Sequence, residues 1–229
     1  MKHYLVIDLE MCRVHKLYKQ TYTYKQEIIQ IGAALLNEQL EVVDKYSSYV
    51  KPRYGDVDQF IKKLTNITRK DLSDAAYLED VLVGFTEWIP EGEVTAVSWS
   101  MSDYTQFVNE FESKGIVPHE KIQNLLENWV DCQVQFSEKM KRSDKNYSLE
   151  EALIATDVCT EGRAHDGLVD AYNTALLFAK MQTEDELKLN RYYDKIHRKQ
   201  EDEEEHLTFN LGDLLKGFVV SDDNSTDQG

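Results

Sequence analysis

This sequence is short of three things: cysteine, net positive charge and long apolar runs. Its three cysteines, Cys12, Cys132 and Cys159, are odd in number and far apart. That excludes a disulfide framework and the paired spacing of a structural zinc site, and it points to a reducing, cytoplasmic setting. No apolar stretch approaches the roughly 20 residues of a membrane helix. Asp8 and Glu10 interrupt the N-terminal run at once, so it does not read as a secretion signal. No membrane role is expected.

The formal net charge is −16, against the basic face that a general nucleic-acid binder presents. Residues 181–229 hold 13 acids and 6 bases, a net of −7, which leaves −9 for residues 1–180. If four of those acids are metal ligands, bound cations remove much of the remaining deficit. The acidic total therefore counts against non-specific binding more than against a metal-dependent site.

What is present is a globular composition, 41% apolar and 30% charged over 229 residues. Such a chain can bury a real core in one domain with an appended segment. Tyr4–Ile7 reads as a core strand that delivers Asp8 and Glu10 from its far end. Period-2 geometry points both acids to one side and Leu9 to the other. Met11–Gln26 mixes Arg13, His15, Lys16, Lys19 and Lys25 with three tyrosines and reads as a loop or ragged helix, suited equally to contacting phosphates and bases or to facing water. Glu27–Asn37 and Val42–Val50 read as a hairpin of strands closed at Lys51-Pro52. Asp58–Leu64 has helical spacing. A further helix, with Asp71 and Ser73 as possible starts, is expected to reach Trp88 before Pro90.

Val94–Trp99 is the next strand candidate. Ser102 is a plausible N-cap for a helix to Gly115, with Asp103 in its first turn. Ile122–Leu126 reads as a short helix, and Trp129–Val134 as a short strand or extended connection. Ser148-x-x-Glu151 is a capping-box pattern, and a helix is expected from His165 or Asp166 to about Lys180. Beyond it the composition turns charged through Glu184–Glu205, becomes amphipathic over Leu207–Val220, and ends in a polar stretch, Ser221–Gly229, that reads as disordered. There is no internal repeat. The fold class is α/β with a mixed central sheet flanked by helices.

Acids stand at element ends in three places: Asp8 with Glu10, Asp103, and Asp170. A pair such as Asp8 and Glu10 can simply face water, but carboxylates gathered on one face repel unless a cation joins them. His165 and Asp170, five apart, would be turned about 140° from each other on one helix. With His165 in the loop just before the helix, both can border one cavity. Oxygen ligands suit Mg²⁺ or Mn²⁺ better than Zn²⁺. A pair of such ions can activate water for phosphodiester cleavage, with a nearby histidine taking the proton.

Asp8-x-Glu10, Asp103 and His165-(x)4-Asp170 together resemble the motifs of the DEDDh 3′→5′ exonucleases, relatives of polymerase proofreading subunits on an RNase H-like fold. Further stretches are similar to the Eri-type branch, named for enhanced RNA interference. These are Glu27-Ile-Ile-Gln-Ile-Gly32, Lys51-Pro52, Leu64-Thr-Asn-Ile-Thr68, Asn128-Trp-Val-Asp131 and the run from Glu161 through His165 and Asp170 to Asn173. The resemblance covers about residues 4–180. It implies an exonuclease domain over 1–180, followed by a charged extension over 181–229. It implies that Asp8, Glu10, Asp103 and Asp170 hold two divalent ions, Mg²⁺ or Mn²⁺, and that His165 is the general base. Met11 and Cys12 would line the pocket for a 3′-terminal nucleotide. Tyr104 is a candidate for stacking on a base, and equally for a core or surface position. Asn173, one turn after Asp170, would orient a ligand rather than bind metal.

The implied activity is hydrolysis from the 3′ end of single-stranded RNA or DNA, releasing nucleoside 5′-monophosphates. Three departures bear on substrate preference: Met11-Cys12-Arg13 replaces a common Ala-Thr-Cys, Val169 stands where a second acid often precedes the last aspartate, and Gln30 stands where many members have Glu. Two other readings fit the same residues: a non-catalytic binding module that uses its acidic tail, and a metal phosphoesterase for small phosphate esters.

Overall fold

The computed structural model describes residues 2–18, 20–141, 145–158, 162–191 and 193. The described residues up to Lys188 form one compact unit. Cys159, Glu161, the acidic block at 201–205 and the amphipathic stretch at 207–220 lie outside the described residues.

The sheet is built on β1 (Lys2–Val14), β2 (Gln26–Leu36), β3 (Val42–Tyr49), β4 (Gly55–Asp56), β5 (Glu93–Ser98) and β6 (Trp129–Asp131). Its order is β3-β2-β1-β5-β6, with β4 paired to the far end of β1. β1–β2 and β2–β3 are antiparallel, whereas β5 runs parallel to β1 and β6 parallel to β5. Between them run α1 (Gln59–Thr65), α2 (Arg69–Ser73), α3 (Leu78–Trp88), α4 (Ser102–Lys114), α5 (Glu120–Glu127), α6 (Cys132–Lys139), α7 (Leu149–Ala155) and α8 (Gly167–Thr183).

Alternation along β1 divides the molecule. Leu5, Ile7 and Leu9 join Leu82 and Phe85 of α3, Phe107 and Phe111 of α4, and Ile122 and Leu125 of α5 in the main core. Even-numbered residues face the other way, toward α8, where the rings of Tyr4 and Phe178 lie 5.2 Å apart. β2 is buried on both faces, so past Glu27 it reads as a mostly apolar run, broken by Gln30, rather than an alternating one.

The main differences from the sequence expectations have local causes. β1 does not stop at Ile7 but runs to Val14, because β2 and β4 both offer it ladder partners; Met11–Val14 is strand rather than loop. The helix expected to reach Trp88 is two helices. Thr68 caps α2 in a reciprocal box with Asp71, and α3 begins only at Leu78. Asp103 lies in the first turn of α4 as expected, but the cap position is Met101, not Ser102. The box at Ser148 and Glu151 forms as the pattern requires.

α4 is held by a buried ionic network. Glu110 accepts the Ile28 N–H at 2.9 Å and pairs with Lys114 at 2.6 Å. Lys114 also pairs with Glu27 at 2.8 Å, and Glu27 accepts the N–H groups of Arg53, Tyr54 and Gly55. Glu110 lies seven residues after Asp103, two helical turns on and on nearly the same face. One end of α4 is thereby fixed to β2 while the other end presents Asp103 to β1.

Candidate active site

β5 pairs with β1 only from Lys2 to Val6. Beyond that point this edge of β1 is open until β4 meets Arg13. The Leu9 N–H on the open edge donates to Asp103 Oδ1 at 2.9 Å, and Ser102 Oγ donates to the other carboxylate oxygen at 3.2 Å. The acids therefore gather where a parallel ladder ends, the usual position for a site in an open α/β sheet. Asp8 and Glu10 sit mid-strand, not at a strand end, but they stand at the end of that ladder.

Asp8 and Glu10 lie opposite Gly32 and Gln30 in the β1–β2 register. The start of α8 covers this same face. A Cβ on Gly32 would collide with the Gly167 carbonyl carbon and oxygen, so the missing side chain is what lets the helix approach. His165 lies in the turn before α8, as the spacing required, with φ of 63°. Its backbone N–H donates to Asp170 Oδ2 at 2.8 Å. One potential ligand atom from each of Glu10, His165 and Asp170 falls within 4.8 Å of the others.

The electrostatics are those of crowded, poorly hydrated anions. Burial raises the Asp8 carboxyl well above its usual range, and Asp103, Asp170 and Glu10 raise it further. Burial, then Asp170 and Asp103, push Glu10 up to about 8. Burial lifts Asp103 to about 7 against the opposing pull of the Leu9 N–H. Asp170 is raised by burial and partly relieved by the His165 N–H. Among the described residues no lysine or arginine forms an ion pair with any of these four acids. Carboxylates in this state accept a hard divalent cation readily, because its charge offsets both the burial and the repulsion.

The structure brings Asp8, Glu10, Asp103, His165 and Asp170 together; the remaining expected residues are placed differently. Cys12 is completely buried, packed with Ile29, Val57 and Ile61 in a second core cluster. It has no free surface with which to line a pocket, and that expectation is corrected. The cause is the extension of β1, which carries Cys12 past a bulge at Glu10/Met11 into the interior. Met11 is half-buried against the main core. The Tyr104 ring packs edge-on against Trp129 at 5.7 Å. Asn173 is buried on α8.

One residue outside the expected set joins the site. Asp166 caps α8, accepting the Leu168 and Val169 N–H groups, and its charge acts on Asp8, Glu10 and Asp170. Its position directly after His165, at a helix start, was the available signal.

A family profile of exonucleases, RNase_T, matches residues 5–178. The chain belongs to this exonuclease family. Among curated members, ERI1 exoribonuclease 2 of Danio rerio is 29% identical over 203 residues, covering 79% of this chain and 35% of that protein. DNA polymerase III subunit epsilon of Aquifex aeolicus is 28% identical over 183 residues, covering 79% and 81% respectively. This exonuclease chain spans about a third of the length of the ERI1 relatives it matches. Its fold is that of the nuclease domain of 3′hExo, a DEDDh family member solved bound to rAMP. The TM-score is 0.66 at 22% identity, over 82% of this chain and 96% of the other. The mixed sheet flanked by helices is thus the RNase H-like exonuclease fold.

Proposed function

We propose that the chain is a metal-dependent 3′→5′ exonuclease. Its substrates are the 3′ ends of single-stranded RNA or DNA, and its products are nucleoside 5′-monophosphates. The observation that carries this reading is the convergence of Asp8, Glu10, Asp103 and Asp170 with His165 at the open end of the β1–β5 ladder. Family membership and the rAMP bound by the 3′hExo nuclease domain support a nucleic-acid substrate.

In this reading the four carboxylates hold two divalent ions, Mg²⁺ or Mn²⁺. Such ions, when bound, supply charge neutralisation, activation of water and stabilisation of the leaving oxygen. The protein supplies the rest. The Leu9 N–H and Ser102 hydroxyl keep Asp103 aimed at the site. The His165 N–H holds Asp170. The exposed His165 imidazole takes a proton from the attacking water as general base. The reaction is confined to residues 1–180, with 181–229 as an appended extension.

The test is to incubate the protein with 3′-labelled and 5′-labelled oligoribonucleotides and oligodeoxyribonucleotides and Mg²⁺ or Mn²⁺. Stepwise loss from the 3′ end, abolished by EDTA and by Asp8→Ala, is the expected result. Activity that survives EDTA, or faster turnover of mononucleotide esters than of oligonucleotides, would overturn it.

A further inference from the structure

Gln30 is 3% exposed, and the chemistry above gives it no part. It stands opposite Glu10 in the antiparallel β1–β2 pair, so the two side chains share one face of the sheet. Its Oε1 accepts the Gly167 N–H at 3.2 Å. Its Nε2 donates to Ser47 Oγ at 3.2 Å and lies 3.4 Å from Asp166 Oδ1. The partners dictate the orientation of the amide, since an N–H can only donate and an ionised carboxylate can only accept.

This amide completes a helix start. The first N–H groups of any helix have no partner within it. Asp166 satisfies those of Leu168 and Val169, and Gln30 satisfies that of Gly167. The turn from His165 to Asp170 closes on itself through the His165 N–H. Gly32 allows its close approach to the sheet, but a glycine contact alone sets distance without direction. Gln30 adds hydrogen bonds that fix how the turn is oriented over β2.

We propose that Gln30 is a positioning residue. Its amide clamps the start of α8 to β2, and so sets His165 and Asp170 over Glu10 in the arrangement that the nuclease reaction uses. The inference rests on the nuclease reading of the site. Only a side chain with both a donor and an acceptor can bridge Gly167 and Asp166. Leucine would leave the Gly167 N–H without its acceptor and take from Asp166 the contact with Gln30. Glutamate would keep an acceptor for Gly167 but turn a like charge on Asp166, adding another carboxylate to a cluster already crowded with them.

The test uses Gln30→Leu and Gln30→Glu in the full chain, with two readouts. Amide hydrogen exchange is independent of activity. In Gln30→Leu, exchange at Gly167 should speed up at least tenfold while Ile31 and Ala33 in the centre of β2 keep native protection. In Gln30→Glu, the Gly167 amide should stay protected. Steady-state kinetics on a 3′-labelled oligonucleotide should show kcat reduced about 10²-fold in Gln30→Leu, the scale of a small misplacement of reacting groups, with KM nearly unchanged. Gln30→Glu should lose kcat to a lesser degree. Native exchange at Gly167 together with native kcat in Gln30→Leu would overturn the proposal, as would loss of protection spread evenly over β2. If Gln30→Leu does not fold, Gln30→Glu decides: a native melting temperature with lowered kcat supports the clamp, and native kcat overturns it. Should the unaltered protein degrade no oligonucleotide, the nuclease reading fails, while the exchange measurement still judges the clamp.

Discussion

The backbone N–H of His165 donates to Asp170 Oδ2 at 2.8 Å, so the two residues that enclose one side of the site are joined through the main chain. His165 holds φ of 63° to make this bond, a conformation few non-glycine residues adopt. The bond closes the turn before α8 and leaves the imidazole exposed beside the carboxylate it helps to hold. Separate roles for the two residues follow, and they can be separated by mutation.

His165→Ala should slow hydrolysis on the order of 10²–10⁴-fold and leave Mn²⁺ binding largely intact. Single-turnover degradation of a labelled oligonucleotide and titration calorimetry measure the two effects. A matching loss of metal affinity would make His165 a ligand instead of a base.

Asp8→Asn should abolish activity yet stabilise the metal-free protein at alkaline pH, because it removes a carboxylate whose charge is opposed by burial and by Asp103, Asp170 and Glu10. Relief of about 1 kcal/mol corresponds to roughly 2–4 °C in melting temperature for a protein of this size. Calorimetry in EDTA checks the sign, and a lower melting temperature would refute the repulsion argument.

Stability should fall with pH without metal, and the stabilisation by metal should rise with pH. The Glu10 carboxyl is raised from 4.5 to about 8, and that of Asp103 from 3.8 to about 7. A raised carboxyl binds its proton more tightly folded than unfolded. Its contribution to stability is therefore complete below the unfolded value and lost as pH rises through the folded one. The metal-free protein should lose stability between about pH 4 and 8. Added Mg²⁺ binds the deprotonated acids, so its stabilising shift should grow across the same interval. Melting curves in EDTA and in Mg²⁺ at several pH values test this, and a metal shift independent of pH would contradict it.

Gly32→Ala should disrupt both fold and site, because the added carbon would overlap the Gly167 carbonyl and force β2 and α8 apart. Overpacking of this kind costs about 1–3 kcal/mol. Urea denaturation measures the cost, and loss of activity should exceed what the unfolded fraction explains.

Lys114→Met should destabilise the protein by roughly 3–5 kcal/mol, since it strands Glu27 and Glu110 as buried, uncompensated charges. Combining it with Glu110→Gln should restore part of that loss. A Lys114→Met protein with native urea stability would show that the backbone donors alone sustain both carboxylates.

Much of this molecule follows from its sequence. The apolar run Leu5–Ile7, the alternation that puts Asp8 and Glu10 on one side, the capping box at Ser148 and the loop position of His165 are local properties. Each is set by backbone geometry within a few residues, so each is readable in order along the chain. The grouping of five motif residues was legible as well, because together they match a family pattern at set spacings.

Other features depend on partners distant in sequence. β1 runs on to Val14 because β2 and β4 supply ladders for it, and that extension buries Cys12, which the family resemblance implied would line a pocket. The acids carry raised pKa values because α4 and α8 enclose them beside β1, and no single segment contains that enclosure. Gln30 meets Asp166 and Gly167 only after α8 docks on Gly32. The sequence, through its motif pattern, determined which residues are candidates for the chemistry; long-range packing decided how close they stand, how dry their surroundings are and which neighbours hold them there.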